Sequence, residues 1–220
     1  TSANSINIGR WLPQMFYYFF AYKELKKFNK PIVISVPSGN FGNICAGLLA
    51  KKMGLPIDHF IASTNINDVI PRYLKTSKYL PKSSIQTISN AMDVGDPSNF
   101  IRISKIFNNN YNIIKSNLSG FKFEDNKTKE AIKEIYKDSN FIADPHGAVG
   151  YLGLKKYLKN HNNKIGVFME TAHPIKFIDV VENTLDIKLK LPEKIKKILK
   201  KEKRSTKINT YMELKDYLIK

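Results

Sequence analysis

Cysteine is nearly missing from this chain of 220 residues: Cys45 stands alone. A single thiol excludes an internal disulfide framework and a cysteine-based zinc site, and no metal is expected. It fits a reducing, cytoplasmic setting. No run approaches the roughly 20 apolar residues of a membrane span, so no membrane partner is expected. The opening TSANSINIGR lacks the basic-then-apolar layout of a secretory signal. No glycines fall as G-x-G-x-x-G and no Gly-Lys-Ser/Thr follows a glycine turn, so the Rossmann and Walker fingerprints are absent. No internal repeat is present.

Acidic residues are also scarce, 19 Asp and Glu against 36 Lys and Arg, for a formal charge of +17. Such a charge raises nucleic acid as a partner. Its distribution argues otherwise. From Ile187 to Lys220 the chain carries 12 Lys and Arg against 4 Asp and Glu, mostly as lysine. Lys, Asn and Ile, all abundant here, are what AT-rich codons encode, so drift on solvated faces accounts for the basicity. From Lys188 to Lys207, where most of these cations fall, no aromatics are interleaved for base stacking. A basic nucleic-acid-associated module therefore stands only as an alternative.

What the chain does have is concentrated in Ile32–Ile44, IVISVPSGNFGNI. Ile32 to Val36 reads as a buried strand. Pro37 to Asn43 reads as a turn rich in small residues, and CAGLLAKKM as a helix closed by Gly54 and Pro56. A strand running through such a turn into a helix presents unpaired backbone N–H groups at the positive end of the helix dipole, a place for a phosphate. Gly39 and Gly42 are expected to supply positive φ and close ligand approach. Ser38, Asn40 and Asn43 are expected to add side-chain hydrogen bonds. Cys45 sits where the helix begins and could have a lowered pKa there. Its preferred reading is a small buried residue.

The remaining pattern is βαβ. His59–Thr64 is a second strand, and Asn65 to Asp68 starts a helix ending near Leu74. The spacing implies a parallel, or mostly parallel, sheet with helices on both faces, an α/β fold. Ahead of these, a helix from Ile8 carries so many aromatics that burial against a sheet is expected. Lys75 to Asn99 reads as a long loop of the kind that is often functional. Ser98 to Phe107 reads as a helix, Asn108 to Phe123 is ambiguous, and Asp125 to Lys137 is an amphipathic helix. Small residues after Pro145 suit a closely packed helix start, and Lys164 to Glu170 is a further strand. In the tail, Thr210 and Glu213 form a capping box for a final helix. Residues 1–186 form one unit and 187–220 a basic helical extension. Three strand-end turns, Pro37–Asn43, Asn65–Asp68 and Thr171–Pro174, are expected to converge on a phosphate-bearing small molecule or cofactor, because ligands in such sheets sit at the strands' carboxyl ends.

The stretches NSINIGRWLPQ, VPSGNFGNICAGLLAKKMGLP, ASTNINDVIPRYL, NAMDVGDPSNFIR, DPHGAVGYLGL and ETAHPIKF together resemble the threonine synthase family over residues 1 to about 185. The resemblance implies a tryptophan synthase β-like fold dependent on pyridoxal 5'-phosphate (PLP). It implies conversion of O-phosphohomoserine and water to L-threonine and phosphate, the last step of threonine biosynthesis. The family's cofactor loop corresponds to Ser38, Gly39, Asn40, Phe41, Gly42 and Asn43, with the amides of Gly39 to Asn43 on the phosphate. Thr171 matches the hydroxyl that faces the pyridine nitrogen. Asn4, Ser5, Asn7 and Arg10 match the loop beside the substrate, Arg10 as candidate for the substrate phosphate or else paired with an acidic neighbour. His146 and His173, each beside a proline at a helix start, read as capping or packing residues. The family's Schiff-base lysine precedes the glycine loop by well over a hundred residues, and no such site precedes Pro37. The lysine is expected in a missing N-terminal segment, making the chain a piece of a longer polypeptide. Another PLP-dependent β/γ-elimination or replacement lyase of the same fold is the near alternative.

Overall fold

The computed structural model describes residues 7–199, 201–202 and 204–219, so Asn4 and Ser5 lie outside the described residues. The chain divides into two units, Thr1–Ile187 and Lys188–Lys220. The first is built on a four-stranded sheet in the order β3-β2-β1-β4. Strand β1 is Ile32–Pro37, β2 His59–Thr64, β3 Leu118–Lys122 and β4 Ile165–Phe168. All neighbours pair in parallel, with Val33 opposite His59, Ile32 opposite Ile165 and Phe60 opposite Leu118. Every residue of β1 and β2 is buried. That explains why apolar residues in both strands fall on neighbouring positions instead of alternating, because a central parallel strand is covered on both faces.

The two faces carry different helices. Helix α1 is Trp11–Leu25, α2 Gly42–Lys52, α3 Val69–Thr76, α4 Phe100–Ile106 and α5 Tyr111–Asn117. Ile32, Ile34 and Val36 of β1 point to this side, into a core with Met15 and Tyr18 of α1 and Ile44 and Leu48 of α2. Helix α6 is Asp125–Ser139, α7 Pro145–Leu158 and α8 Ile178–Leu185. Val33 and Ile61 point to their side and meet Leu154 and Tyr157 of α7. Polar packing accompanies this: the Ser35 hydroxyl donates to the Gly150 carbonyl at 2.6 Å and lies 2.8 Å from Ser63 Oγ. β2 lies on one side of β1 and β4 on the other, so the strand order reverses between β1 and β4, and the crevice at their carboxyl ends is where such sheets bind ligands.

Four details differ from the sequence reading. Helix α1 is not buried against the sheet all round: Trp11, Met15 and Tyr18 are, but Phe16 and Phe20 are 57% and 67% exposed. One helix presents only one stripe to one sheet, and nothing among the described residues covers the other. The ambiguous segment splits into α5 and the edge strand β3. β4 ends at Phe168, so Met169 to Thr171 leave the sheet before the following 3-10 turn Pro174–Phe177. The positive φ of the glycine turn belongs to Phe41, at 62°, and to neither Gly39 nor Gly42. In the second unit, α9 is Glu193–Leu199 and α10 Tyr211–Ile219. The α10 cap is the expected one: the Glu213 amide donates to Thr210 Oγ1 at 3.2 Å, and the Glu213 carboxylate accepts from the Asn209 amide at 2.8 Å. No helix among the described residues is long and apolar enough to cross a membrane.

Candidate active site at the carboxyl ends of the first and fourth strands

A pocket of about 830 Å³ opens at the reversal point between β1 and β4. This size suits a small-molecule ligand. Its floor is the turn Pro37 to Ile44, its far wall Met169 to Thr171, and its near rim Arg10, Gln14, Tyr17 and Phe20. Ala91 and Met92, in a 3-10 turn at Asn90–Met92, close it from above.

The turn is shaped to leave backbone donors unspent. Phe41, the residue before α2, takes the left-handed conformation, and its ring is buried. That bend brings successive amides toward the pocket ahead of the α2 dipole. The amides of Gly39, Phe41, Gly42 and Asn43 donate to no protein acceptor among the described residues. Gly39 is required by close approach: a Cβ there would lie 2.6 Å from Met92 Cα and 2.8 Å from the Ala91 carbonyl oxygen. On the far wall Thr171 is exposed to the pocket, and its hydroxyl makes no hydrogen bond among the described residues. On the rim, Gln14 Oε1 is buried without a partner. Unspent amides, an unspent hydroxyl and an orphaned carbonyl around one cavity form the donor and acceptor set that a phosphorylated heteroaromatic cofactor requires.

The side chains expected to help in the turn are mostly committed elsewhere. The Ser38 amide donates to the Ser63 carbonyl at 2.8 Å and its hydroxyl to the Val36 carbonyl at 2.8 Å, so its donors fasten the turn to the sheet. Asn40 Oδ1 accepts from the Ser98 amide and hydroxyl at 2.7 and 2.8 Å. Asn43 Oδ1 accepts from the Tyr18 hydroxyl at 2.6 Å. These three side chains brace the cradle, and the backbone is what faces the cavity. Arg10 lines the pocket, whereas Asn7 caps the preceding 3-10 turn through a 2.9 Å bond from the Gly9 amide and does not line it. Cys45 is fully buried, and burial pushes its thiol up to about 12, the opposite of an activated cysteine.

The convergence of strand ends holds for two of the three turns. Asn65 to Asp68 does not line the pocket. Asn65 Nδ2 instead donates to Thr87 Oγ1 at 2.8 Å and Asp93 Oδ1 at 2.9 Å, anchoring the long loop. Asp68 is ringed by Lys122 and Arg72 at 3.0 Å each and Lys82 at 3.5 Å. Burial opposes its ionisation, but these cations outweigh it and hold its carboxyl below the usual range. The anchored loop is what delivers Ala91 and Met92 to the pocket.

Of the two helix-start histidines, His173 caps and His146 packs, α7 being capped by Asp144 instead. His173 Nδ1 accepts from the Ile175 amide at 3.2 Å. His146 is buried, with Nδ1 2.6 Å from Asp144 Oδ1, and Nε2 accepts from the Ala91 amide at 3.2 Å. Sequence reasoning did not identify Gln14, Tyr17, Ala91, Met92 or Glu170 as pocket residues. Gln14 and Tyr17 follow Arg10 at helical spacing, a signal that could have found them. Ala91 and Met92 arrive through a fold contact with no local signature.

A family model described as "Threonine synthase, C-terminal" matches residues 147–218. A threonine synthase from Haemophilus influenzae is 44% identical over 221 residues, covering 100% of this chain and 51% of that protein. The crystal structure of threonine synthase from Escherichia coli superposes with a TM-score of 0.82 at 42% identity, covering 90% of this chain and 45% of that one. A PLP-bound threonine synthase from Brucella melitensis gives a TM-score of 0.88 at 28% identity, covering 99% of this chain and 52% of that one. The similarity extends through the basic tail, beyond the limit near residue 185 of the motif resemblance. The chain spans about half the length of the curated relatives it matches.

Proposed function

This chain belongs to the threonine synthase family, and on that premise we propose that its pocket is the cofactor-phosphate half of a PLP-dependent active site. The reaction served is the conversion of O-phosphohomoserine and water to L-threonine and phosphate, in the cytoplasm. The observation that carries the reading is the row of unspent amides at Gly39, Phe41, Gly42 and Asn43, facing a cavity that also holds an unspent hydroxyl at Thr171.

Each residue has a definite task in this reading. The amides and the α2 dipole hold the cofactor phosphate without any cationic side chain, so the cradle binds a dianion and stays neutral itself. Thr171 donates to the ring nitrogen. A hydroxyl, unlike a carboxylate, does not keep that nitrogen protonated, which favours elimination and replacement over transamination. Arg10, at the rim, takes the substrate phosphate with two parallel N–H donors. When bound, the cofactor supplies the electron sink, and the protein supplies orientation and electrostatics.

The anchoring lysine, in this reading, comes from the half of the relatives' length that the chain does not span. The seat for that half is the bare face of α1. Leu12, Phe16, Phe19 and Phe20 are 60%, 57%, 44% and 67% exposed, and Phe20 also lines the pocket rim. A helix apolar on all sides is one meant to be enclosed. The partner segment would cover this face and close the cavity in one step.

Two measurements test the reading. Titration of the purified chain with PLP, followed by cofactor fluorescence, should saturate, and Gly39→Ala should weaken binding by about tenfold or more, because the new methyl pushes Met92 off the turn. Absence of saturable binding, or equal binding by Gly39→Ala, would overturn it. Threonine formation from O-phosphohomoserine should appear only when the amino-terminal half of a relative is added. Preference for homoserine or serine in that assay would move the assignment to another lyase of the same fold.

A further inference from the structure

At the far wall of the pocket stands a group of three titratable side chains to which the proposed reaction gives no task, Glu170 on the open side and Asp144 and His146 buried beneath it. Asp144 caps α7 and is completely buried. Its Oδ1 accepts from the His146 amide at 2.8 Å and lies 2.6 Å from His146 Nδ1. Its other oxygen, Oδ2, is buried and receives no N–H or hydroxyl donor among the described residues. The group that meets Asp144 is the Glu170 carboxyl, whose Oε1 accepts from the Asp144 amide at 2.9 Å. Glu170 Oε2 is pressed onto the first turn of α7, so closely that a Cβ at Gly147 would lie 1.6 Å from it.

The Asp144 amide holds the Glu170 carboxyl beside the orphaned Oδ2 of its own side chain, and two carboxyl groups so placed cannot both ionise cheaply. One proton between them removes the repulsion and gives the orphaned acceptor of Asp144 its missing donor. His146 settles which carboxyl keeps the proton. Because Nε2 accepts the Ala91 amide, Nε2 carries no hydrogen, so Nδ1 carries it and donates to Asp144. Asp144, taking hydrogen bonds from the His146 ring and amide, is the stabilised anion. Glu170, opening on the pocket, is the acid.

We propose that Glu170 is a positioning residue that keeps its proton at neutral pH and, through Asp144 and the His146 ring, fixes the Asn90–Met92 turn over Gly39. The chain of contacts is continuous: the Glu170 carboxyl to Asp144, Asp144 to His146 Nδ1, His146 Nε2 to the Ala91 amide, and Ala91 and Met92 onto the Gly39 backbone. The His146 ring is steadied on its other side by Phe177 at 4.7 Å. The proton state of a pocket-lining acid is thereby tied to the roof of the phosphate turn. The consequence for cofactor binding rests on the phosphate reading above, but the network itself does not.

The pH dependence follows. Desolvation, and then the bond to Asp144, push Glu170 up to about 8, while burial at Asp144 is outweighed by its hydrogen bonds and its carboxyl stays below the usual range. Asp144 and, through it, His146 meet Glu170 from the start of α7, and Arg10 is the charged group lining the same pocket. The two 3-10 turns contribute the Ala91 amide and the Phe177 ring, neither of which titrates in this range. Above about pH 8 the second carboxylate forms and the pair separates, loosening His146 and releasing Ala91.

The test uses the 220-residue chain without cofactor. Nitrogen-15 spectra of His146 at pH 7 should show Nδ1 protonated and Nε2 bare. Hydrogen exchange at the Ala91 amide, corrected for intrinsic rate, should be protected at pH 7 and lose about tenfold of that protection by pH 9. Glu170→Gln should keep the protection at both values, because a carboxamide donates to Asp144 without titrating. Glu170→Ala should lose it at both. A protonated Nε2 at pH 7, or one pH course shared by the parent and Glu170→Gln, would overturn the proposal even if Glu170→Ala fails to fold. Binding of inorganic phosphate, followed by phosphorus NMR, separates the two readings. If Ala91 behaves as stated and phosphate does not bind, the network stands and the phosphate cradle falls.

Discussion

At the residue scale, the polar groups around the turn divide into those spent on structure and those held open. Tyr18 shows the cost of the first kind. Its ring is buried against Phe60, and its hydroxyl bonds the Asn43 carbonyl and side-chain oxygens. Tyr18→Phe should lower stability by about 1–2 kcal/mol, because it strands buried acceptors, and urea unfolding measures it. His59 is buried between Ser119 and the Tyr157 ring. Desolvation, helped by Lys164 and Lys51, lowers its pKa to about 4. Its unfolded form binds a proton first on acidification. The stability due to neutral His59 is therefore complete above about pH 6.5 and is lost as pH falls toward 4. Replacing His59 by Gln should flatten the slope of stability against pH within that window. A slope unchanged by the substitution would contradict this assignment. Cys45, with its thiol pushed up to about 12, should resist alkylation at pH 8 while the chain is folded.

At the element scale, α1 and α7 reward different readings of one property, apolar content. Helix α7 carries small residues against the sheet and is legible as a closely packed helix from its sequence. Helix α1 is aromatic on every side, and composition alone does not say how many layers enclose it. Its bare face makes a mutational prediction. Phe16→Lys with Phe20→Lys should leave the thermal midpoint of this chain unchanged, since neither ring is buried in it, and should raise its solubility. The same pair should abolish complementation by an amino-terminal half. A drop in the midpoint would mean that the rings are already covered. The Asn65–Asp68 turn belongs at this scale as well. It resembled a ligand turn because it follows a strand end, but its polar atoms serve the loop that carries Thr87, Ser89 and Asp93.

At the scale of the whole molecule, the +17 charge is the feature most open to misreading. Among the described residues the pocket face carries one arginine, Arg10, and one carboxyl, Glu170, and no lysine. Binding to single- or double-stranded nucleic acid should be negligible at both 50 and 300 mM salt, by fluorescence anisotropy. Tight low-salt binding with a steep salt dependence would reinstate the nucleic-acid reading.

The amino-acid sequence by itself determined the parallel α/β fold, the glycine turn at a strand end, the small-residue face of α7 and the capping box of α10. Each follows from periodicity or from a rule acting within a few residues. The six ordered motifs also carried the family. Only the tertiary structure decided which strand-end turns meet, because that depends on strand order, and the placement of β4 beside β1 is invisible locally. It decided that Ser38, Asn40 and Asn43 spend side-chain oxygens as braces while the turn's backbone amides stay open beside the pocket. It also brought Glu170, Asp144, His146 and Ala91, scattered across the segment after β4, the start of α7 and a long loop, into one line of hydrogen bonds. Contacts between distant segments are set by how elements pack, and no short stretch of chain encodes them.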